Sequence, residues 1–263
     1  MVRLEKMIYA LNFADEKYKN AQQLNTKTAY KYGADKVFEY SWQDIDKEFY
    51  EQNRQILIQE RGKGYWLWKP YFIYKTLMHS SDGDWVVYAD SGMFYRKNIK
   101  TYIEGLEKEG IEFISRTTKF KEKEFTKRDV FIELGCDYPY YTDSLQRAAS
   151  AMLIKNIPHN RQIIEEWLGH AQNIHWITDE PNHCGEENYK EFIDHRHDQS
   201  IFSLVCKKYN VAYNKNLFMD MAFFNKRGAL LTDHHTRYGN YISAYLGTIR
   251  RVVKMMYSIV VKR

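Results

Sequence analysis

The residues best placed to do chemistry begin with Asp90. It follows Trp85-Val86-Val87-Tyr88-Ala89 and precedes Ser91-Gly92. A run of aromatic and β-branched residues that stops at a carboxylate, a small residue and a glycine predicts a buried strand ending abruptly. Such a strand delivers one acid to the carboxyl edge of a sheet, where open α/β folds bind ligands. Asp82 and Asp84 form a literal DxD in SSDGD, but they precede the strand and therefore lie at its other end, where they read as turn residues. Upstream, RGKGYWLWKP sets Arg61, Lys63 and Lys69 around two glycines and three large aromatics. Either this is a basic loop whose aromatics enter the core, or its cations and free backbone N–H groups meet a diphosphate.

Further along, HRHDQS places a titratable cluster at the start of an apolar helix, with Asp198 and Ser200 as cap candidates. Lys127 and Arg128 read equally well as surface charges or as ligand-binding residues. His183 beside Cys184, and His195 beside His197, invite a zinc reading, but they lack the two closely spaced ligand pairs of structural zinc sites. There is no GxGxxG, no P-loop and no GxSxG elbow, which leaves dinucleotide binding, Walker-type NTPases and serine acyl transfer unsupported.

These residues need a scaffold. A strand over 6–13, a helix from Asp15 to Tyr32 stopped by Gly33, and a strand over 36–41 make a βαβ opening. Strands follow over 85–92, 111–116 and 145–156, the last with small residues that permit close approach of a ligand or another backbone. Helices are expected from Pro70, over 101–110, from Pro158 to about Gly169 and over the later part of 195–209. The segment 173–188 reads as loop.

At 263 residues the chain can bury one substantial core. Its 44% hydrophobic and 28% charged content is ordinary for a globular protein. Aromatics reach 16%, enough to supply stacking surfaces in a cleft. Three cysteines without CxxC spacing read as free thiols, and no signal-peptide pattern or apolar run of transmembrane length is seen, so a cytoplasmic location is expected.

From His234 onward there are six basic residues and no acid, while the other 33 basic residues face 34 acids. In the last 23 residues Ile242, Tyr245, Leu246, Ile249, Val252, Val253, Met256, Ile259 and Val260 share one helical stripe, with Arg250, Arg251 and Lys254 on another. This predicts either a core helix with a solvated face or, as the absence of acids favours, a basic amphipathic helix on an anionic membrane surface.

GKGYWLWKPYFI, YADSG and DQSIFSL, in this order within residues 5 to 240, resemble the GT-A glycosyltransferases, and most closely the bacterial enzymes of capsule and lipopolysaccharide assembly. The resemblance implies an α/β fold, a GT-A-like (Rossmann-type) central mixed sheet flanked by helices over residues 1–240, with a C-terminal amphipathic helix over 241–263. It implies a UDP- or GDP-sugar donor and a glycan or lipid-linked acceptor. Matched position by position, Asp90 is the first acid of the family's DxD, contacting the donor's ribose or its metal, with Ser91 beside it; Gly92 replaces the second acid. Asp198 and Gln199 match the acidic position near the anomeric carbon, where a carboxylate acts as base or steadies an oxocarbenium-like transition state. His234 or His235 matches a late histidine that contacts metal or diphosphate, and Arg237 adds a phosphate contact. A Mn2+ or Mg2+ ion on Asp90 and His234 is thus implied, though one carboxylate is a poor start for such a site. Two rival readings stand beside this one: a sugar-binding relative without catalysis, favoured by the missing acid, and a nucleic-acid-binding module. The second is disfavoured because the aromatics lie in apolar strands rather than interleaved with cations along a groove.

Overall fold

The computed structural model describes residues 6–214, 216–220, 229–234 and 236–261. Its centre is a six-stranded sheet in the order β2-β1-β3-β6-β5-β7, built from β1 (Ile8–Phe13), β2 (Lys36–Tyr40), β3 (Trp85–Ala89), β5 (Phe113–Lys121), β6 (Leu145–Lys155) and β7 (Ala212–Tyr213). All strands run parallel except β6, which is antiparallel to both β3 and β5. The expected βαβ opening is present, with helix α1 (Lys19–Lys31) crossing from β1 to β2 and Gly33 at φ +99° ending it. β5 extends past the expected 111–116 because its pairing with β6 continues, through register shifts, to Lys121 opposite Leu145.

All five residues of β3 are buried, and their alternation explains why the run is unbroken. Val86 and Tyr88 enter one core with Phe13, Phe72, Trp167 and Phe202. The helices on that side are α2 (Trp68–His79), α4 (Pro158–Ala171) and α5 (His197–Lys208). Trp85, Val87 and Ala89 enter the other core, with Ala29 of α1 and Ile99 and Ile103 of α3 (Ile99–Lys108). A strand covered on both faces needs apolar residues at every position. Each fully buried Val here contributes roughly 1.5–3 kcal/mol.

A second sheet, in the order β4-β9-β8 (Met93–Tyr95, Leu231–Asp233, Phe218–Asp220), hangs from the turn after β3. It carries Asp233 to a position opposite Met93. Helix α6 (Tyr241–Val261) closes the chain. Ala244 and Thr248 on its first turns are buried, Ala244 against Leu24 and Phe94. The helix is therefore docked by one face, while Ile242, Tyr245, Leu246, Ile249 and Val253 lie exposed on another. The 173–188 segment holds one short helix, Ile174–Ile177.

Candidate active site

Parallel β1, β2 and β3 end at one edge, at Phe13, Tyr40 and Ala89. Asp90 leaves that edge in a turn closed by Met93 N–H donating to Asp90 O at 2.9 Å. The turn is fastened from three sides. Ser91 donates its hydroxyl to Phe13 O. Asn25 of α1 donates to Asp90 O at 3.2 Å and to Met93 O at 3.0 Å. Asp90 N–H donates to Ser150 O at 2.9 Å, an approach the small residues of β6 permit. Asp82 and Asp84 sit at the opposite end of β3. Asp84 accepts from the Met7 and Ser81 amides, and Asp82 pairs with Arg161, so the literal DxD is structural.

The RGKGYW segment explains its own glycines. Gly62, Lys63, Gly64, Tyr65 and Trp66 all have φ between +50° and +77°, a single left-handed turn. Each non-glycine residue in that conformation costs roughly 1–2 kcal/mol. A Cβ on Gly62 would lie 2.3 Å from the Trp66 ring, and one on Gly64 would lie 2.8 Å from Leu57 Cα. Trp68 Nε1 donates to Gly62 O at 3.1 Å and helps hold the turn. His197 is also left-handed, at φ +52°, and its ring stacks on Trp66 with centroids 5.4 Å apart. Four of the five left-handed non-glycine residues among those described thus lie at this one place, a clustering characteristic of functional sites.

The turn feeds α2, whose second residue is Lys69. Its buried ammonium lies 3.2 Å from Asp198 Oδ2 and 3.6 Å from Asp90 Oδ1. Asp90 also accepts from the Tyr88 hydroxyl at 2.5 Å, yet its side chain is 40% exposed and open to the cleft. Burial alone would lower the Lys69 ammonium, but Asp198 and Asp90 together outweigh it and hold it above the ordinary lysine value. Asp198 is buried too. Desolvation pushes its carboxyl up to about 6 although Lys69 pulls the other way. A carboxylate half-protonated near pH 6 is suited to moving a proton.

Two cavities meet here. One, of about 490 Å3, is lined by Phe13, Lys17, Tyr18, Lys63, Trp66 and Arg237 among others. The second, of about 330 Å3, is lined by Arg61, Lys69, Ser150, His197, Asp198 and Gln199 among others. Asp90 and Trp66 line both. The first offers cations and aromatic faces at the end of β1, the natural nucleotide position of a βαβ unit.

The structure brings together Asp90, Ser91, Lys63, Lys69, Asp198, Gln199, Arg61 and Arg237 around these cavities, with several qualifications. Asp198 and Ser200 do not cap α5: its N-cap is Arg196, without a side-chain cap, because Asp198 faces Lys69 and Ser200 donates to Phe125 O. Gln199 is held by Gln146, 2.8 Å from its Nε2. Arg61 is paired with Asp179 and Asp194 at 3.0 and 3.1 Å, and Lys63 with Glu60 at 3.0 Å. Arg237 stands 5.2 Å over the Tyr18 ring.

Lys127 and Arg128 do not join the cleft lining. Lys127 is buried, 3.2 Å from Asp129, with its ammonium on the carbonyls of His175 and Glu180. Arg128 pairs with Asp137 at 2.8 Å and lies over Tyr189. The Lys127 charge thus holds the 173–188 segment, and the Arg128 charge is neutralised by Asp137. His234 is fully buried; its Nδ1 shares a hydrogen bond with Thr236 Oγ1 at 2.6 Å, and its N–H donates to Gly92 O. His235 lies outside the described residues.

The implied cation fits poorly. Among the described residues no third His, Cys, Asp or Glu ligand atom joins Asp90 and His234 within 4.8 Å. Asp90 already faces an ammonium. The described residues build no ligand cage at this point, and a divalent ion needs more hard oxygens than one carboxylate supplies.

Several site residues escape the sequence reading. Tyr88 donates to Asp90, Asn12 donates to Asn25 Oδ1 at 2.8 Å and so orients the residue gripping the Asp90 turn, and Asp233 lines the larger cavity near Gly92. The signal for Asn25 was present: a polar residue on the buried stripe of α1 needs a partner.

No protein-family model matches the chain, and no curated protein matches it in sequence. Solved structures do match. The apo structure of the bifunctional glycosyltransferase WbbM aligns with 94% of this chain and 50% of its own, at 9% identity and a TM-score of 0.51. Mouse xyloside xylosyltransferase 1 aligns at 10% identity over 87% of this chain and 97% of its own. A glycosyltransferase involved in glycosylation of the major capsid of PBCV-1 aligns at 11% over 93% and 99%, both with a TM-score of 0.49. The fold is the mixed α/β, GT-A-like one, with a mostly parallel six-stranded sheet flanked by helices.

Proposed function

We propose that this chain is a glycosyltransferase that moves a sugar from a nucleotide diphosphate sugar, UDP- or GDP-linked, to a glycan or lipid-linked acceptor in surface polysaccharide synthesis. The observation that carries this reading is the meeting of two cavities at Asp90, with the Lys69–Asp198 pair beneath the junction. The larger cavity would take the nucleotide, its base or ribose against Trp66, Trp68 or Tyr18 and its diphosphate near Lys17, Lys63 and Arg237. The smaller would take the acceptor hydroxyl beside Asp198, which would accept its proton. Lys69 would keep Asp198 ionised above pH 6 despite its burial. Screening UDP-, GDP- and CMP-sugars by thermal shift and by donor turnover tests the reading. One nucleotide class should stabilise the protein and be consumed when a glycan acceptor is present. Stabilisation without turnover, with every acceptor tried, would instead support the non-catalytic sugar-binding reading.

Attachment of α6 to an anionic lipid surface belongs to the same proposal. Its outward stripe includes Ile242, which is 74% exposed, and the helix carries Arg250, Arg251 and Lys254 with no acid. Among the described residues no helix is long and apolar enough to cross a membrane. Because Ala244 and Thr248 dock the helix, the informative variant changes the outward face alone. Leu246→Glu with Val253→Glu should release the protein from anionic vesicles in a sedimentation assay and leave turnover of a soluble acceptor unchanged. Equal sedimentation of variant and wild type would remove the membrane role.

A further inference from the structure

Outside the cleft lining, one group of ligand-type side chains converges among the described residues: His175, Glu180 and His183, whose ligand atoms all lie within 4.8 Å of one another. His175 Nδ1 is 2.7 Å from Glu180 Oε2, and His183 Nε2 is 3.6 Å from the same oxygen. The two imidazole rings stand with centroids 4.1 Å apart. Around a tetrahedral zinc ion with bonds near 2.0–2.1 Å, neighbouring ligand atoms are roughly 3.3 Å apart. The observed separations straddle that value.

What distinguishes this group from a chance surface pair is how its backbone is held. The buried Lys127–Asp129 pair grips all three ligand residues. Lys127 Nζ donates to His175 O and to Glu180 O, each at 2.7 Å, and Asp129 Oδ1 accepts from His183 N–H at 2.8 Å. Asp129 takes the Cys184 amide as well, at 2.8 Å. Two imidazoles and a carboxylate that met on a surface by chance would need no such anchoring. A site that holds three side chains at ligand spacing does, because affinity depends on the ligands being pre-positioned.

We propose that His175, Glu180 and His183 bind a zinc-class divalent ion, with the fourth position open to water. Two imidazoles and one carboxylate are a borderline-soft donor set, suited to Zn2+ and poorly suited to Mg2+. The site acts as a clip on the cleft wall. Asp179, between the ligands, accepts from Arg61 at 3.0 Å and from the Tyr65 hydroxyl at 3.2 Å, and its other oxygen is 3.8 Å from His197 Nε2. Fixing 175–183 thus fixes the segment that orients Arg61 and the left-handed turn.

The test uses untagged full-length protein stripped with a chelator, titrated with Zn2+ against a chromophoric chelator and then with Co2+. One Zn2+ per chain is expected, and Co2+ should give the intense visible bands of tetrahedral coordination. His175→Ala and His183→Ala should each weaken binding by at least ~100-fold, beyond the 10–100-fold that changes around a ligand shell cost. Glu180→Gln, nearly isosteric, should show the same loss with unchanged circular dichroism, so that misfolding does not stand in for a lost ligand. Asp90→Ala should bind Zn2+ as the wild type does. Absence of binding by the wild-type chain, or an unchanged affinity in the His175→Ala/His183→Ala double variant, overturns the proposal.

Discussion

Asp90→Ala should reduce transfer by at least 10^2–10^3-fold, the usual loss when one preorganised electrostatic contact is removed from a reacting centre. The variant should remain folded. Asp90 is the one partly exposed member of its cluster, and without it the buried Lys69 keeps Asp198 at 3.2 Å. The Tyr88 hydroxyl loses its acceptor, a change of roughly 1–3 kcal/mol that a domain of this size tolerates. Because the protein surrounds Asp90 with an ammonium rather than with further ligands, the loss should be the same with Mn2+ present or absent. Steady-state rates of the purified variant, with each donor that stabilises the wild type, measure this. Turnover within tenfold of wild type would remove Asp90 from the centre of the site.

The rate of the wild-type protein should climb as the pH rises through about 6, where burial has placed the Asp198 carboxyl. Below that pH the group is protonated and accepts no proton from an acceptor hydroxyl; above it, it does. Asp198→Asn should remove this limb and lower kcat by roughly 10^2–10^4-fold, the range for a positioned general base. Stability should move the other way. An acid raised above its ordinary 3.8 contributes to stability below that value, and the contribution is lost as the pH rises through about 6. The Asp198 carboxyl therefore contributes less at pH 8 than at pH 4, and the melting temperature of Asp198→Asn relative to wild type should rise as the pH is raised between them. This comes on top of the pH-independent cost of taking one of its two carboxylates from buried Lys69. A flat wild-type profile from pH 5 to 7, together with an Asn variant of near-normal rate, would rule out the proton-accepting role.

The legible parts of this protein are those encoded in short windows. The apolar run of β3 and its terminal Asp90 could be read directly, because burial on both faces leaves no room for polar residues. The small residues of β6 and the stop at Gly33 were equally local. Lys127 and Arg128 could not be placed from the sequence because a charge carries no record of its burial: Arg128 is taken up by Asp137, and Lys127 by Asp129 and by the distant carbonyls of His175 and Glu180. The Lys69–Asp198 contact joins residues at the starts of two helices that meet only through tertiary packing, so no spacing announces it. The docking of α6 was hidden for a related reason. Ala244 and Thr248 are small and attract no attention beside the large apolar residues of the outward stripe.

The left-handed turn from Gly62 to Trp66 changes what counts as a conservative replacement along this wall of the cleft. Size and charge, the usual measures of similarity, have little hold there. Alanine, harmless on most surfaces, is barred at positions 62 and 64 by the Trp66 ring and the Leu57 backbone. At Lys63 an arginine keeps the charge but gains nothing in backbone tolerance, whereas asparagine sheds the charge and suits the conformation. Natural variation in this turn should accordingly sort by backbone chirality and by room for a Cβ: glycine kept at 62 and 64, glycine or asparagine accepted at 63, and β-branched residues absent.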